Sequence, residues 1–166
     1  MLTNMQPSND QTFKLGLIGY PLSHSLSPNI HTAALNACGQ EGDYSLFPVA
    51  PEDKQSLKDL LARVRSGEIH GLNVTVPHKQ NVIQFLDELT PTAESIGAVN
   101  TIYLREKKLI GDNTDAMGFI TDLKRFLDDR KHRTQLQVSI IANRKSSIIL
   151  GAGGSARAVV WALVND

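Results

Sequence analysis

Three short segments of the chain concentrate side chains that can do chemistry: 23–28 (SHSLSP), 73–79 (NVTVPHK) and 113–115 (NTD). Lys79 and Asp115 are the types that handle protons. A lysine accepts and returns a proton near neutrality when burial or a nearby cation lowers its pKa. A carboxylate beside it can accept a hydroxyl's hydrogen bond and so orient that hydroxyl. Ser25 and Ser27 alternate on an extended stretch, so both hydroxyls can address one anion. Asn73 and Thr75 alternate in the same way and would project from one face of a strand.

Each of these residues also has a plainer structural role. Ser27 reads as the N-cap of the helix that follows, with Pro28 at its first position. Asn73 and Thr75 could be the polar face of an edge strand. Lys79 could be an exposed lysine in a first helical turn, although a cation there opposes the helix dipole. Asp115 could be an N-cap, because N-T-D before an apolar helix is a common start signal.

A second kind of site stands near the end of the sequence. The run IILGAGGSA places Gly151, Ala152, Gly153, Gly154, Ser155 and Ala156 between an apolar strand and a helix, as a dinucleotide fingerprint requires. Gly151 suits the tight turn, Gly153 the close approach of a pyrophosphate, and Ala156 the third small position. The free N–H groups at the helix start would face the phosphates. Only twelve residues follow Gly154. A βαβ unit needs about 30 residues, and its ribose-reading acid lies about 20 beyond the glycines. The expectation is therefore the front part of a longer protein, with Val159, Val160, Trp161 and Leu163 lacking a layer to bury against. His24, His31, His70, His78 and His132 match no zinc spacing, and no metal is expected.

The elements that would carry these groups alternate. Strands are expected over 13–19, 45–50 and 69–76, with Pro48 marking an edge. A hairpin is expected from 98–104 and 107–110 around Arg105–Glu106. Helices are expected over 28–38, from about 52 to Gly67, over 79–89, from Thr90–Pro91, over 115–128, and after Gly154. The helix at 28–38 should bury Ile30, Ala33, Ala34, Ala37 and Cys38. The helix after Glu52 and Asp53 should bury Leu57, Leu60, Leu61 and Val64. The helix at 115–128 should turn Phe119, Ile120, Leu123, Phe126 and Leu127 inward. Two more apolar runs, 138–142 and 148–150, follow a polar stretch. This order predicts an α/β fold with a mostly parallel sheet and helices on both faces. The expected divisions are a substrate-binding and catalytic domain at 12–130, a linker at 131–147, and the start of a Rossmann domain at 148–166. Ligands of such sheets lie in loops past the carboxyl ends of strands.

Composition narrows the function. The 166 residues carry 17 basic and 17 acidic side chains, so formal net charge is zero. That argues against nucleic acid, which needs a basic face. No run of 18 apolar residues would span a membrane. The first ten residues lack an apolar stretch, so no secretory signal is read. The lone Cys38 fits a reducing, cytoplasmic setting.

The motifs GYPLSHSLSP, NVTVPHK, GAVNT, GDNTD and GAGGSARA, in that order, resemble the shikimate and quinate/shikimate dehydrogenases. The resemblance runs from about Lys14 to Asp166. It implies an oxidoreductase of chorismate and aromatic amino acid biosynthesis. Such an enzyme reversibly reduces 3-dehydroshikimate to shikimate with NADPH, NAD not being excluded. It implies that Ser25 and Ser27 hold the substrate carboxylate, that Asn73, Thr75 and Asn100 hold ring hydroxyls, and that Lys79 with Asp115 does the catalysis. It implies a 166-residue chain that folds its first domain, binds shikimate weakly and does not turn over. Partners would be the small-molecule substrate alone, with oligomerisation left open. Two alternatives stand beside it: a quinate/shikimate enzyme, and a non-catalytic acid-binding or docking module.

Overall fold

The computed structural model describes residues 12–133, 149 and 151–165; side-chain placement within 128–133 is not included. The tail at 1–11, most of the expected linker, the run at 138–142 and residues 148 and 150 of the next run lie outside the described residues.

Six strands form one mixed, mostly parallel sheet in the order β2-β1-β3-β5-β6-β4. β1 (Phe13–Gly19) is flanked in parallel by β2 (Gly42–Pro48) and β3 (Gly71–Val74). β5 (Thr101–Arg105) pairs antiparallel with β3 and with β6 (Lys108–Asp112), and the two-residue β4 (Glu88–Leu89) closes the far edge in parallel. β2 is an edge strand, as Pro48 implied. The expected hairpin exists one residue later than read. Its turn is Glu106–Lys107, both at positive φ (52° and 66°), a hairpin turn built without the usual glycine.

The helices divide between the two faces. α2 (Lys54–Arg65) buries Leu57, Leu60, Leu61 and Val64, all as expected. These join Ile18, Leu72, Val74 and Ile102 in the main core. Asp53 stands before the first turn and caps it, its carboxylate accepting the Ser56 N–H at 2.9 Å. α1 (Ser27–Ala37) lies against β2 but buries none of its residues. Ile30 is 62% exposed and Cys38 is exposed, so the expected apolar face does not enter the core. Alternation along the paired strands puts Tyr44, Leu17, Asn73 and Thr101 on the face opposite the α2 core. His31 of α1 stacks on Tyr44 there, with ring centroids 4.4 Å apart.

The helix expected over 79–89 is broken up. α3 (His78–Asn81) gives way to a 3-10 turn (Ile83–Phe85), and Leu86 is extended, feeding β4. Burial of Val82, together with packing of Ile83, Phe85, Leu86 and Leu89 on the core, overrides helical periodicity here. α4 (Pro91–Ile96) starts as read, Thr90 Oγ1 accepting the Ala93 N–H at 3.2 Å. α5 (Asp115–Arg133) runs past the expected end at Asp128. It buries Ile120, whereas Phe126 and Leu127 are exposed. α6 (Gly154–Asn165) packs on α4 and α5 through Ala158 and Ala162, with Trp161 and Leu163 beside them. Trp161 and Leu163 therefore have a packing layer that the sequence alone did not reveal, whereas Val160 is exposed as expected.

Candidate active site

The loops after β1 and β3, and the start of α5, converge at one end of the sheet. Lys79 reaches this point from α3. Its Nζ lies 2.5 Å from Asp115 Oδ2, and its side chain is only 11% exposed. The backbone of Lys79 is pinned as well, its carbonyl accepting the Val99 N–H at 2.7 Å. Asp115 is not spent on capping α5. Asn113 Oδ1 takes the Asp115 N–H at 3.0 Å, which leaves the carboxylate free for side-chain partners. Its Oδ1 accepts from Asn100 Nδ2 at 2.7 Å. Asn100 is buried and saturated: its Oδ1 accepts from the Thr114 N–H and the Thr101 hydroxyl, both at 2.9 Å.

The network continues across the sheet. Thr101 Oγ1 is reached by Asn73 Nδ2 at 3.5 Å, and Asn73 Oδ1 accepts from the Tyr44 hydroxyl at 2.8 Å. The Ser27 side chain lies beside the Tyr44 hydroxyl, and burial pushes the Tyr44 pKa up to about 12. Tyr44 is thus a neutral donor at any ordinary pH. Ser27 is the first residue of α1 but does not cap it. Ser25 Oγ instead accepts the Ser27 N–H at 3.2 Å, which frees the Ser27 side chain to face Tyr44.

Four of the seven residues singled out for substrate and chemistry, Asn73, Asn100, Lys79 and Asp115, therefore share one hydrogen-bonded set, and Ser27 with Ser25 stands beside it at Tyr44. Thr75 sits one residue past β3, its N–H donated to the Ile18 carbonyl at 2.9 Å. Among the described residues no side-chain hydrogen bond ties it to the set. Tyr44, Thr101 and Thr114 are the members that sequence reasoning missed. Thr101 and Thr114 lay inside the motifs AVNT and NTD. Tyr44 carried only strand alternation as a signal.

The glycine loop approaches from the other side. Gly151 has φ of +119°, the left-handed region that glycine tolerates. A Cβ at Gly154 would stand 2.9 Å from Lys79 Cβ, so only glycine lets α6 start this close. Ser155 follows, and its hydroxyl accepts from Lys79 Nζ at 3.0 Å. Ala152 is exposed, Ala156 is half-buried, and no atom lies within 4 Å of where a Gly153 Cβ would be. A cleft of about 450 Å³ lies between α4 and α6, lined by Ile96, Gly151, Ala152, Arg157 and Trp161 among others. None of the polar set lines it. Its walls are mostly apolar side chains.

Among the described residues no helix is long and apolar enough to cross a membrane, and no group of three or more His, Cys, Asp or Glu side chains could hold a metal ion.

Comparison with known proteins identifies the family. The family model described as shikimate dehydrogenase substrate binding domain matches residues 17–102. A curated relative from Oceanobacillus iheyensis, named shikimate dehydrogenase (NADP(+)), is 43% identical over 155 residues, covering 93% of this chain and 52% of the relative. The solved shikimate 5-dehydrogenase of Thermus thermophilus in complex with shikimate is 36% identical with a TM-score of 0.76, over 93% of this chain and 53% of that one. A solved shikimate dehydrogenase in complex with NADP+ is 38% identical with a TM-score of 0.75, over 93% and 49%. The chain spans about half the length of the curated relatives it matches. On this evidence the chain belongs to the shikimate dehydrogenase family, through its substrate-binding domain.

Proposed function

We propose that this chain supplies the substrate side of an NADP-dependent shikimate dehydrogenase, which reversibly reduces 3-dehydroshikimate to shikimate. The observation that carries the reading is the Lys79–Asp115 pair, joined by hydrogen bonds through Asn100, Thr101 and Asn73 to Tyr44, with Ser27 and Ser25 beside that hydroxyl. A small hydroxy-acid fits such a row: an anion at the serine end, hydroxyls along the amides, and the reacting oxygen at the lysine.

In this mechanism Ser25 and Ser27 donate hydroxyl hydrogens to the substrate carboxylate. Asn73 and Thr75 hold ring hydroxyls and so set which carbon faces the lysine, and Asn100, whose own hydrogen bonds are all made within the protein, aims Asp115. Lys79 Nζ, as an ammonium, donates its proton to the keto oxygen as that oxygen becomes a hydroxyl. In the oxidative direction the neutral amine takes the same proton back. Asp115 holds Nζ in place and accepts the hydroxyl's hydrogen bond. The fixed amide and hydroxyl partners keep these groups aimed before substrate arrives, which lowers the cost of reaching the reacting geometry.

The residues 151–156 fit a dinucleotide. The left-handed Gly151, the open space at Gly153 and the leading N–H groups of α6 are what a pyrophosphate requires. When bound, the reduced nicotinamide supplies the hydride. Ser155 places this loop within hydrogen-bond reach of the lysine that supplies the proton.

Calorimetric titration of shikimate into the chain tests the reading. Saturable binding is expected, and it should be lost in Ser25→Ala/Ser27→Ala and in Lys79→Ala. A folded chain that shows no binding, or binding that survives both changes, would refute it.

A further inference from the structure

Tyr44 stands outside every motif that carries the family likeness, yet it occupies the middle of the polar set. It is on β2, and its partner Asn73 is on β3, with β1 between them. The side chain therefore crosses a whole strand to deliver its hydroxyl. Two features hold it there. The His31 ring lies parallel on it, 2° from coplanar, and the Ser27 side chain meets its hydroxyl.

We propose that Tyr44 is a positioning residue that fixes the orientation of the Asn73 amide, so that its N–H donors are the groups turned to the ligand. The proposal rests on the function argued above. The carboxamide of Asn73 has one oxygen and one NH₂. The Tyr44 O–H occupies the oxygen at 2.8 Å, a full-strength bond. The NH₂ group makes only long bonds, 3.4 Å to the Asn100 carbonyl and 3.5 Å to Thr101 Oγ1. A ligand oxygen can displace these readily. With the oxygen held on the Tyr44 side, turning the amide over would lose this bond, so the NH₂ group stays on the other side. A hydroxyl or keto oxygen must then accept at this position, and its own hydrogen must point elsewhere. With the Ser27 side chain beside it, the same hydroxyl stands between the serine end of the row and its amide end. Burial keeps the phenol protonated, so it acts as a donor throughout the working pH range.

The test is shikimate affinity in Tyr44→Phe, which removes one oxygen and keeps the ring and its His31 stack. Affinity should fall by about tenfold, the usual size for losing one hydrogen bond that orients a ligand group. The thermal midpoint should stay put, while the nuclear magnetic resonance signals of the Asn73 side-chain NH₂ move. In an Asn73→Ala background the same Tyr44→Phe change should have no further effect on affinity. Unchanged affinity in Tyr44→Phe would overturn the proposal and leave the proposed function standing. An equal loss with and without Asn73 would overturn the route through Asn73. Absence of shikimate binding by the unaltered chain would overturn both.

Discussion

One core of the chain is built from large aliphatic side chains, the other largely from alanines. The first packs Leu57, Leu60, Leu61 and Val64 of α2 against Ile18, Leu72, Val74 and Ile102 of the sheet. The second joins Ala98, Ala116, Ala158 and Ala162 with Ile96 and Ile120, between α4, α5 and α6. The difference matches their tasks. Bulky residues make a stiff floor for the polar row that stands on the sheet's other face. Small residues let helix axes approach closely, and that approach brings Ser155 to Lys79. Stability and the polar row depend on the first core, whereas the placing of the glycine loop depends on the second.

The comparison can be broken hardest at the floor. Leu72→Ala should cost about 2–5 kcal/mol, the range for truncating a fully buried leucine. Urea unfolding measures it, and a loss below about 1 kcal/mol would show that the sheet does not depend on this core. Asp115→Asn comes next. It removes the counter-charge from a nearly buried lysine and should cost about 1–3 kcal/mol, since hydrogen bonds to charged groups lie in that range. The same unfolding measurement reads it, with shikimate affinity followed in parallel. An unchanged unfolding curve would mean the pair is not held as described.

Gly154→Val sharpens the contrast. The new side chain would collide with Lys79 and Ala98, forcing α6 to shift. Overpacking of this kind costs about 1–3 kcal/mol, and it should fall on α6 alone. Trp161 is the single tryptophan and lies on α6. Its fluorescence should move while hydrogen exchange of the β1 and β3 amides stays as before. Equal loosening of both regions would merge the two cores into one.

The smallest effect is electrostatic. Tyr44 ionises near 12 in the folded chain against 10.0 for an ordinary tyrosine, because burial disfavours the phenolate. The unfolded chain releases this proton first, so stability is intact below pH 10 and falls as pH rises toward 12. Tyr44→Phe should flatten that slope, and alkaline spectrophotometric titration should lose its latest-ionising tyrosine. A variant that keeps the late phase would show that another tyrosine carries it.

Much of this was legible in the residues, for reasons that differ by element. α2 was readable because its apolar stripe does find a partner. α1 shows similar spacing but faces no buried layer, and periodicity carries no information on what lies opposite. The residues after Lys79 read as a helix because their apolar spacing allows it, yet packing against the core extends Leu86 and makes β4. The hairpin register slipped by one because Glu106 and Lys107 are not residues that announce a left-handed turn. Within the site, Lys79, Asp115, Asn100 and the two serines were marked by compact motifs. Ser25 rather than Ser27 meets the start of α1, a detail of local backbone geometry. Tyr44 could be found only by placing β1 between two other strands, which is a fact of topology.

The central claim is that this chain assembles the shikimate site from its own residues. Shikimate titrated into isotope-labelled chain, followed by backbone amide resonances, tests it most directly. The account predicts saturable shifts at Ser25, Ser27, Asn73, Asn100, Lys79 and Asp115, with none at the far edge around Glu88 and Lys108. Shifts confined to the cleft between α4 and α6, or no shifts in a folded chain, would contradict it.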